Sequence, residues 1–212
     1  MGKLIKTKRN RRQPVRPPPG RAGEVVAPAA LRRGNTVALA RWLIGKTLAR
    51  RLPGGAVRRA IITETEAYHG ETDLACHASR GRTARTAVMY RAGGVWYVYL
   101  CYGVHELLNL VTGPENFPAA VLIRGVRGIS GPGRLTKALS ITRALNGASA
   151  CNASEGGPGL WLETTPRREL RRASAIRKNV LATPRVGVGY AGAVWGAKPW
   201  RFVLAGRVSG PD

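Results

Sequence analysis

Residues 58–68, RRAIITETEAY, constrain the fold more than any other stretch of this chain. They are rich in β-branched side chains and alternate in polarity, the pattern of a half-buried strand. Residues 95–102 (VWYVYLCY), 119–126 (AAVLIRGV), 185–190 (RVGVGY) and 200–205 (WRFVLA) read as strands on the same grounds. Between them, Val37, Leu39, Ala40, Leu43, Ile44 and Leu48 recur at helical spacing, which predicts a helix over 36–52 with Asn35 as its cap. A second helix is expected over 132–145, opened by Gly131-Pro132-Gly133, and the basic segment 167–182 reads as helix or linker. Strands and helices are interspersed without repeated long crossovers, so the expected class is α+β, a single mixed domain around a largely antiparallel sheet with flanking helices. There is no internal repeat.

The chain has 212 residues, a length for one domain with at most a tail. Residues 1–23 carry eight lysines and arginines, no acid and the run Pro17-Pro18-Pro19, so they read as a disordered basic arm; residues 24–212 are then the folded domain. Across the chain 35 Lys and Arg oppose 11 Asp and Glu, a net charge of +24. That excess points to a polyanion, most simply DNA or RNA, although an arginine-rich composition alone would also produce it. No apolar run is long enough for a transmembrane helix, and the N-terminus lacks the apolar core of a signal peptide. Cys76, Cys101 and Cys151 are odd in number and widely spaced, which argues against a disulfide framework and for a reducing compartment. With no CxxC pair, a zinc ribbon is excluded in its usual form. Cys76-His77, if on a strand, would point to opposite faces.

On a strand, Ile62, Glu64, Glu66 and Tyr68 share one face, with the backbone positions of the two acids about 6–7 Å apart. Paired carboxylates at that separation suit hydrolysis of a glycosidic bond, one of them activating water. They are equally the pattern of an edge face where acids pair with arginines. Tyr97 and Tyr99 share a face, and Tyr102 precedes Gly103 where the chain turns. In a basic protein such rings stack on bases, including bases flipped out of a duplex, or else they fill a core. His77 has four readings: general acid or base, stacking partner, metal ligand, or loop histidine. His105-Glu106-Leu107-Leu108-Asn109 lacks the second histidine of a zinc protease and is rejected as one; its Asn109 is a polar residue in an apolar stretch that needs a partner or a substrate. Arg134 and Lys137 follow the Gly-Pro turn and read as phosphate contacts, helped by the amides at the helix start. A Schiff-base role for Lys137 lacks the local apolar burial it needs.

Together these segments carry a resemblance. Glu64-Thr65-Glu66-Ala67-Tyr68, His77, Tyr97-Val98-Tyr99, Tyr102-Gly103, Asn109 and Val121-Leu122-Ile123-Arg124 occur in that order. Gly131-Pro132 with Leu135 and Ala138-Leu139, Gly159-Leu160-Trp161-Leu162-Glu163, Arg185-Val186-Gly187-Val188-Gly189 and Lys198-Pro199-Trp200-Arg201-Phe202 follow. In this the chain resembles the 3-methyladenine DNA glycosylases of the alkyladenine (methylpurine) family from about residue 34 to about residue 206. The resemblance implies a curved antiparallel sheet and monofunctional excision of alkylated purines, and of hypoxanthine or ethenoadenine, from double-stranded DNA. It requires no metal or organic cofactor and no membrane. The sequence shows no sign of obligate oligomerisation, so a monomer is the default expectation. The expected location is the cytoplasm with the nucleoid in a bacterium, or the nucleus in a eukaryote.

By position, the resemblance makes Glu66 the general base and Arg124 the arginine beside the attacking water. It makes Tyr68, His77 and Tyr99 the residues that sandwich the flipped base, with Tyr97 beside them. It likewise makes Tyr102 the wedge that fills the vacated stack, and Asn109 the residue that discriminates against the amino group of normal guanine. The wedge loop departs from the pattern at Val104, where a methionine often follows the glycine; this bears on insertion and on lesion preference. A non-catalytic basic nucleic-acid-binding protein that keeps the fold is the alternative expectation.

Overall fold

A computed structural model describes residues 23–32, 34–153, 159–164 and 179–205. The described elements are, in chain order, α1 (Pro28–Leu31), α2 (Thr36–Leu43), β1 (Thr47–Arg51), β2 (Val57–His69), β3 (Trp96–Cys101), β4 (His105–Val111), β5 (Ala119–Val126), β6 (Ile129–Ser130), α3 (Pro132–Ala138), β7 (Gly159–Glu163), β8 (Val180–Thr183), α4 (Gly192–Ala197) and β9 (Arg201–Leu204). The strands form one nine-stranded sheet, ordered β3-β4-β5-β2-β1-β7, with β6 beside β5 and the β8–β9 pair joined to β2. Every pairing is antiparallel, as the α+β reading expected. The thirteen-residue β2 is the spine: β5 lies along one edge, while β1 and then β9 share the other.

The two faces of the sheet have different tasks, and alternation assigns the residues to each. On β3, Trp96 and Val98 join the main core, while Tyr97 and Tyr99 belong to the opposite face. On β4, Leu108 and Leu110 face the core and Val111 the other side. On β5, Val121 and Ile123 face the core and Ala120 the other side. Helix α2 lies on the core face with Leu39, Ala40 and Leu43 against the sheet. Each fully buried leucine there contributes about 1.5–3 kcal/mol.

A pair of compensating bulges breaks this alternation in β2 and corrects the expectation that Ile62, Glu64, Glu66 and Tyr68 share a face. Ile62 pairs with Val126 and Glu64 with Gly125, so Thr63 is one residue too many on β2. Glu64 pairs with Gly125 and Thr65 with Ile123, so Arg124 is the extra residue on β5. The extra residue reverses the phase of the side chains. Ala60 and Ile62 enter the core, and so does Ala67 beyond the bulge. Thr65 also turns that way, its hydroxyl donating to the Ala40 carbonyl of α2 at 2.8 Å. Glu64, Glu66 and Tyr68 are thereby turned away from the core. Gly125 permits the close approach, because a Cβ there would meet Glu64 Cβ and the Ile129 carbonyl at 3.3 Å.

The helix expected over 36–52 ends at Leu43; Asn35 caps it as expected, accepting from the Ala38 amide at 2.9 Å. Gly45, at φ 86°, reverses the chain, and Leu48, whose spacing fits either period, is buried in β1 instead. The helix expected over 132–145 stops at Ala138, followed by Ser140 at φ 51° and a 3-10 turn at Arg143–Leu145. The buried Arg50 of β1 donates to the Leu139 and Ser140 carbonyls that this early stop leaves open. Residues 185–190 form no strand: Gly187 has φ 71° and a 3-10 turn follows at Gly189–Ala191. Of the basic segment, 167–178 and, of the arm, 1–22 lie outside the described residues; Val180–Thr183 is strand β8.

Candidate active site

Glu66 is the centre of the site. Its side chain has no exposed surface. Oε2 accepts from the Tyr68 hydroxyl at 2.8 Å, and Oε1 accepts from the Val186 amide at 2.8 Å and lies 3.4 Å from an Arg124 terminal nitrogen. A carboxylate offers about four lone-pair directions, so one on Oε2 is still uncommitted. Burial raises the proton affinity of Glu66 above the ordinary carboxylate value; Arg124, the Val186 amide and the Tyr68 hydroxyl oppose the rise. The net result is a carboxylate with raised basicity, as a general base requires.

Glu64 has the other role that the paired acids allowed. Its Oε1 accepts from Arg124 Nε at 2.8 Å and from Arg201 Nε at 2.7 Å, so it is an anchor for arginines. Burial works against the charge on Arg124, but Glu66 and Glu64 outweigh it and hold the guanidinium firmly protonated.

Above this cluster lies a cavity of about 470 Å³. Tyr68, Arg124 and Val186, the three partners of Glu66, line it, so the acid sits directly behind its wall. His77, Tyr97 and Tyr99 form an aromatic side of the cavity. The Tyr97 and Tyr99 rings are 5.2 Å apart and inclined by 31°, and the His77 ring meets Tyr99 edge-on at 4.6 Å. His77 Nδ1 and the Tyr97 hydroxyl are hydrogen-bonded at 3.1 Å. Burial, with Arg85 nearby, lowers the His77 pKa to about 4, so its imidazole is neutral near pH 7. Asn109 of β4 lines the same cavity; its amide nitrogen donates to the Tyr97 carbonyl at 3.2 Å, leaving Oδ1 available to a ligand.

The β3–β4 hairpin stands at the cavity's rim. Tyr102 is 95% exposed and also lines the cavity. Tyr102 and Gly103 have φ 49° and 70°, and the Val104 amide donates to the Cys101 carbonyl at 3.1 Å. A tyrosine in the left-handed region costs on the order of 1 kcal/mol, a strain of the kind that accumulates at functional sites. Val104 is exposed beside it. Arg134 and Lys137 are exposed on α3, away from the cavity lining. Their helix packs on β4, with the His105 ring 2.8 Å from where a Gly133 Cβ would stand. At seven residues α3 is short, so its positive charge comes from these exposed cations more than from its dipole.

The structure brings Glu66, Tyr68, His77, Tyr97, Tyr99, Tyr102, Asn109 and Arg124 together around one cavity. Arg85, Tyr190, Asp73 and the Arg185–Val186 pair had no role expected from the sequence. Arg85 lies 4.9 Å over the Tyr99 ring, and Tyr190 lines the rim; neither occupies a pattern that spacing could reveal. Cys76 precedes the 3-10 turn His77–Arg80, in line with the loop expected for His77; burial pushes its thiol up to about 12, which makes it inert. Among the described residues no cluster of His, Cys, Asp or Glu could hold a metal, and no helix is long and apolar enough to cross a membrane.

Comparison with known proteins supplies the family. The methylpurine-DNA glycosylase family model matches residues 30–129 and 127–208. A protein of Methanocella arvoryzae named "Putative 3-methyladenine DNA glycosylase" is 46% identical over 187 residues, covering 79% of this chain and 86% of its own. Proteins of the same name from Anaeromyxobacter dehalogenans and Psychrobacter cryohalolentis are 45% and 40% identical, over 84% and 83% of this chain and 83% and 89% of theirs. Matches of this extent, over the segments that build the cavity, establish that the chain belongs to the methylpurine-DNA glycosylase family.

Proposed function

We propose that the chain is a monofunctional DNA glycosylase that rotates alkylated or deaminated purines out of duplex DNA and hydrolyses the N-glycosidic bond. The observation that carries this reading is the buried Glu66 carboxylate, held by three partners that themselves line a cavity with aromatic walls. Family membership and the names of the relatives support the class of reaction and the 3-methyladenine substrate.

In this mechanism Glu66 takes a proton from water as its oxygen bonds to the anomeric carbon. The glycosidic pair leaves with the base, and an abasic site remains. Arg124 orients the water and keeps Glu66 ionised, while the carboxylate charge favours the developing oxocarbenium ion. Tyr68, His77 and Tyr99 stack on the flipped base with Tyr97 beside them, and the volume of Asn109 stands against the guanine amino group. The neutral His77 suits a cationic alkylpurine, which a charged imidazole would repel. Extrusion costs a few kcal/mol, part of which Tyr102 returns by filling the gap in the stack. Arg134 and Lys137 meet the backbone, and the arm of residues 1–23 adds salt-dependent affinity to a domain that spans 24–212 and acts as a monomer.

The test is base release from duplex oligonucleotides carrying 7-methylguanine, hypoxanthine or ethenoadenine, wild type beside Glu66→Gln. Release by wild type alone is expected, with DNA binding kept by both. Full activity in Glu66→Gln removes the role of the carboxylate. Binding without release by wild type selects a non-catalytic nucleic-acid-binding protein instead.

A further inference from the structure

Arg185 is a charge buried where the proposed reaction has no direct use for it. It and Asp73 have no exposed side-chain surface. The guanidinium donates to both Asp73 oxygens, at 2.6 and 2.9 Å. It also donates to the Ala67 carbonyl of β2 at 2.9 Å and to the Trp195 carbonyl of α4 at 3.2 Å. The Tyr68 and Trp200 rings lie 4.9 and 5.1 Å from it. Asp73 in turn accepts from the His69 and Ala75 amides, which fixes it to the end of β2. Arg185 lines no part of the cavity, but the next residue, Val186, does, and its amide donates to Glu66.

We infer that the Arg185–Asp73 pair is a positioning device that clamps an otherwise irregular loop so that the Val186 amide stays aimed at Glu66 and the Tyr68 ring stays against the cavity. Residues 185–188 have no strand partner, and Gly187 has φ 71°, so nothing in their own backbone fixes Val186. The bidentate fork and two carbonyl contacts supply what the missing ladder does not. An ion pair this deeply buried is a costly way to gain stability, but it fixes a geometry well.

The consequence falls on Glu66. The charged and titratable groups facing it are Arg124 from β5, Glu64 and Tyr68 from β2, and Arg185 from the loop; Arg201 of β9 is engaged by Glu64. An amide that donates to a carboxylate favours its ionised form. Arg185→Lys keeps the charge and loses the fork, so it isolates alignment from electrostatics.

The inference rests on the assignment of Glu66 as the base, but its test uses free protein. Carbon-13 NMR of labelled glutamate is to follow Glu66 in wild type and Arg185→Lys. The titration midpoint is expected to rise by about one pH unit in the variant, and in base release the acid limb of kcat should move with it while KM is little changed. An unmoved Glu66 in a folded variant with a lowered Tm overturns the inference and leaves the pair merely structural. Should Arg185→Lys not fold, hydrogen exchange in wild type decides. The Val186 amide is expected to be protected as strongly as the amides of β2, and rapid exchange overturns the clamp. Glu66 titrating as expected in a protein that releases no base defeats the proposed function and not this inference.

Discussion

The Tyr68 hydroxyl donates to Glu66 Oε2 at 2.8 Å while the ring of the same tyrosine lines the cavity, so one side chain serves both the base and its pocket. Tyr68→Phe separates the two. The ring remains, and a hydrogen bond that favours the ionised carboxylate is lost, an effect worth about one to two pH units. The acid limb of the base-release profile should move up by that amount, with lesion-DNA affinity within about twofold of wild type. An unchanged pH profile in Tyr68→Phe contradicts this coupling.

Glu66 also leaves a mark on stability. Its folded-state pKa is raised by burial, so between the ordinary carboxylate value and the raised one the folded protein holds the proton more tightly than the unfolded chain. That contribution is present at low pH and is lost as pH rises through the folded pKa. Glu66→Gln removes it, and the variant's Tm should fall less than that of wild type as pH increases across this window. Parallel curves of Tm against pH would contradict the burial cost.

His77 has the opposite sign. Its pKa is lowered from 6.5 to about 4 by burial, so the unfolded chain binds the proton more readily in that interval. The contribution is complete above 6.5 and is lost as pH falls toward 4. Proton NMR of the imidazole should place its midpoint near 4, and His77→Gln should flatten this part of the stability curve. A midpoint near 6.5 would show that the ring is not buried as described.

Tyr102, at φ 49°, trades stability for function. Glycine adopts this conformation without the steric penalty, so Tyr102→Gly should keep Tm unchanged or raise stability by up to about 1 kcal/mol. The same change should weaken binding to lesion duplex more than to undamaged duplex. Equal losses on the two DNAs would remove the wedge.

Arg134 and Lys137 are expected to contribute through phosphates alone. Replacing both with alanine should lower affinity for damaged and undamaged DNA alike and reduce the slope of log K against log salt by about 2. The excision ratio between lesions should stay constant. A changed ratio would place these side chains in the pocket's reach.

The chain itself determined much of this protein. β-Branched alternation marked the strands β2, β3, β5 and β9, and Asn35 marked a helix start, because these are local preferences of the backbone. The order of Glu66, Tyr68, His77, Tyr99, Tyr102, Asn109 and Arg124 carried the family's pattern, and the comparisons bear that family out. Strands β1, β4, β6, β7 and β8 were not marked in the sequence, because their residues are fixed by pairing across the sheet rather than by alternation of their own. Which face the paired acids occupy was also beyond spacing. Strict alternation puts Ile62 beside Glu66, and only the Thr63 and Arg124 bulges, a matter of register between two strands, separate the core from the site. The same holds for Arg185 and Val186, distant in sequence from Glu66. Their roles depend on a loop with no periodicity, fixed by a buried ion pair and a single amide that meet β2 only when the chain has folded.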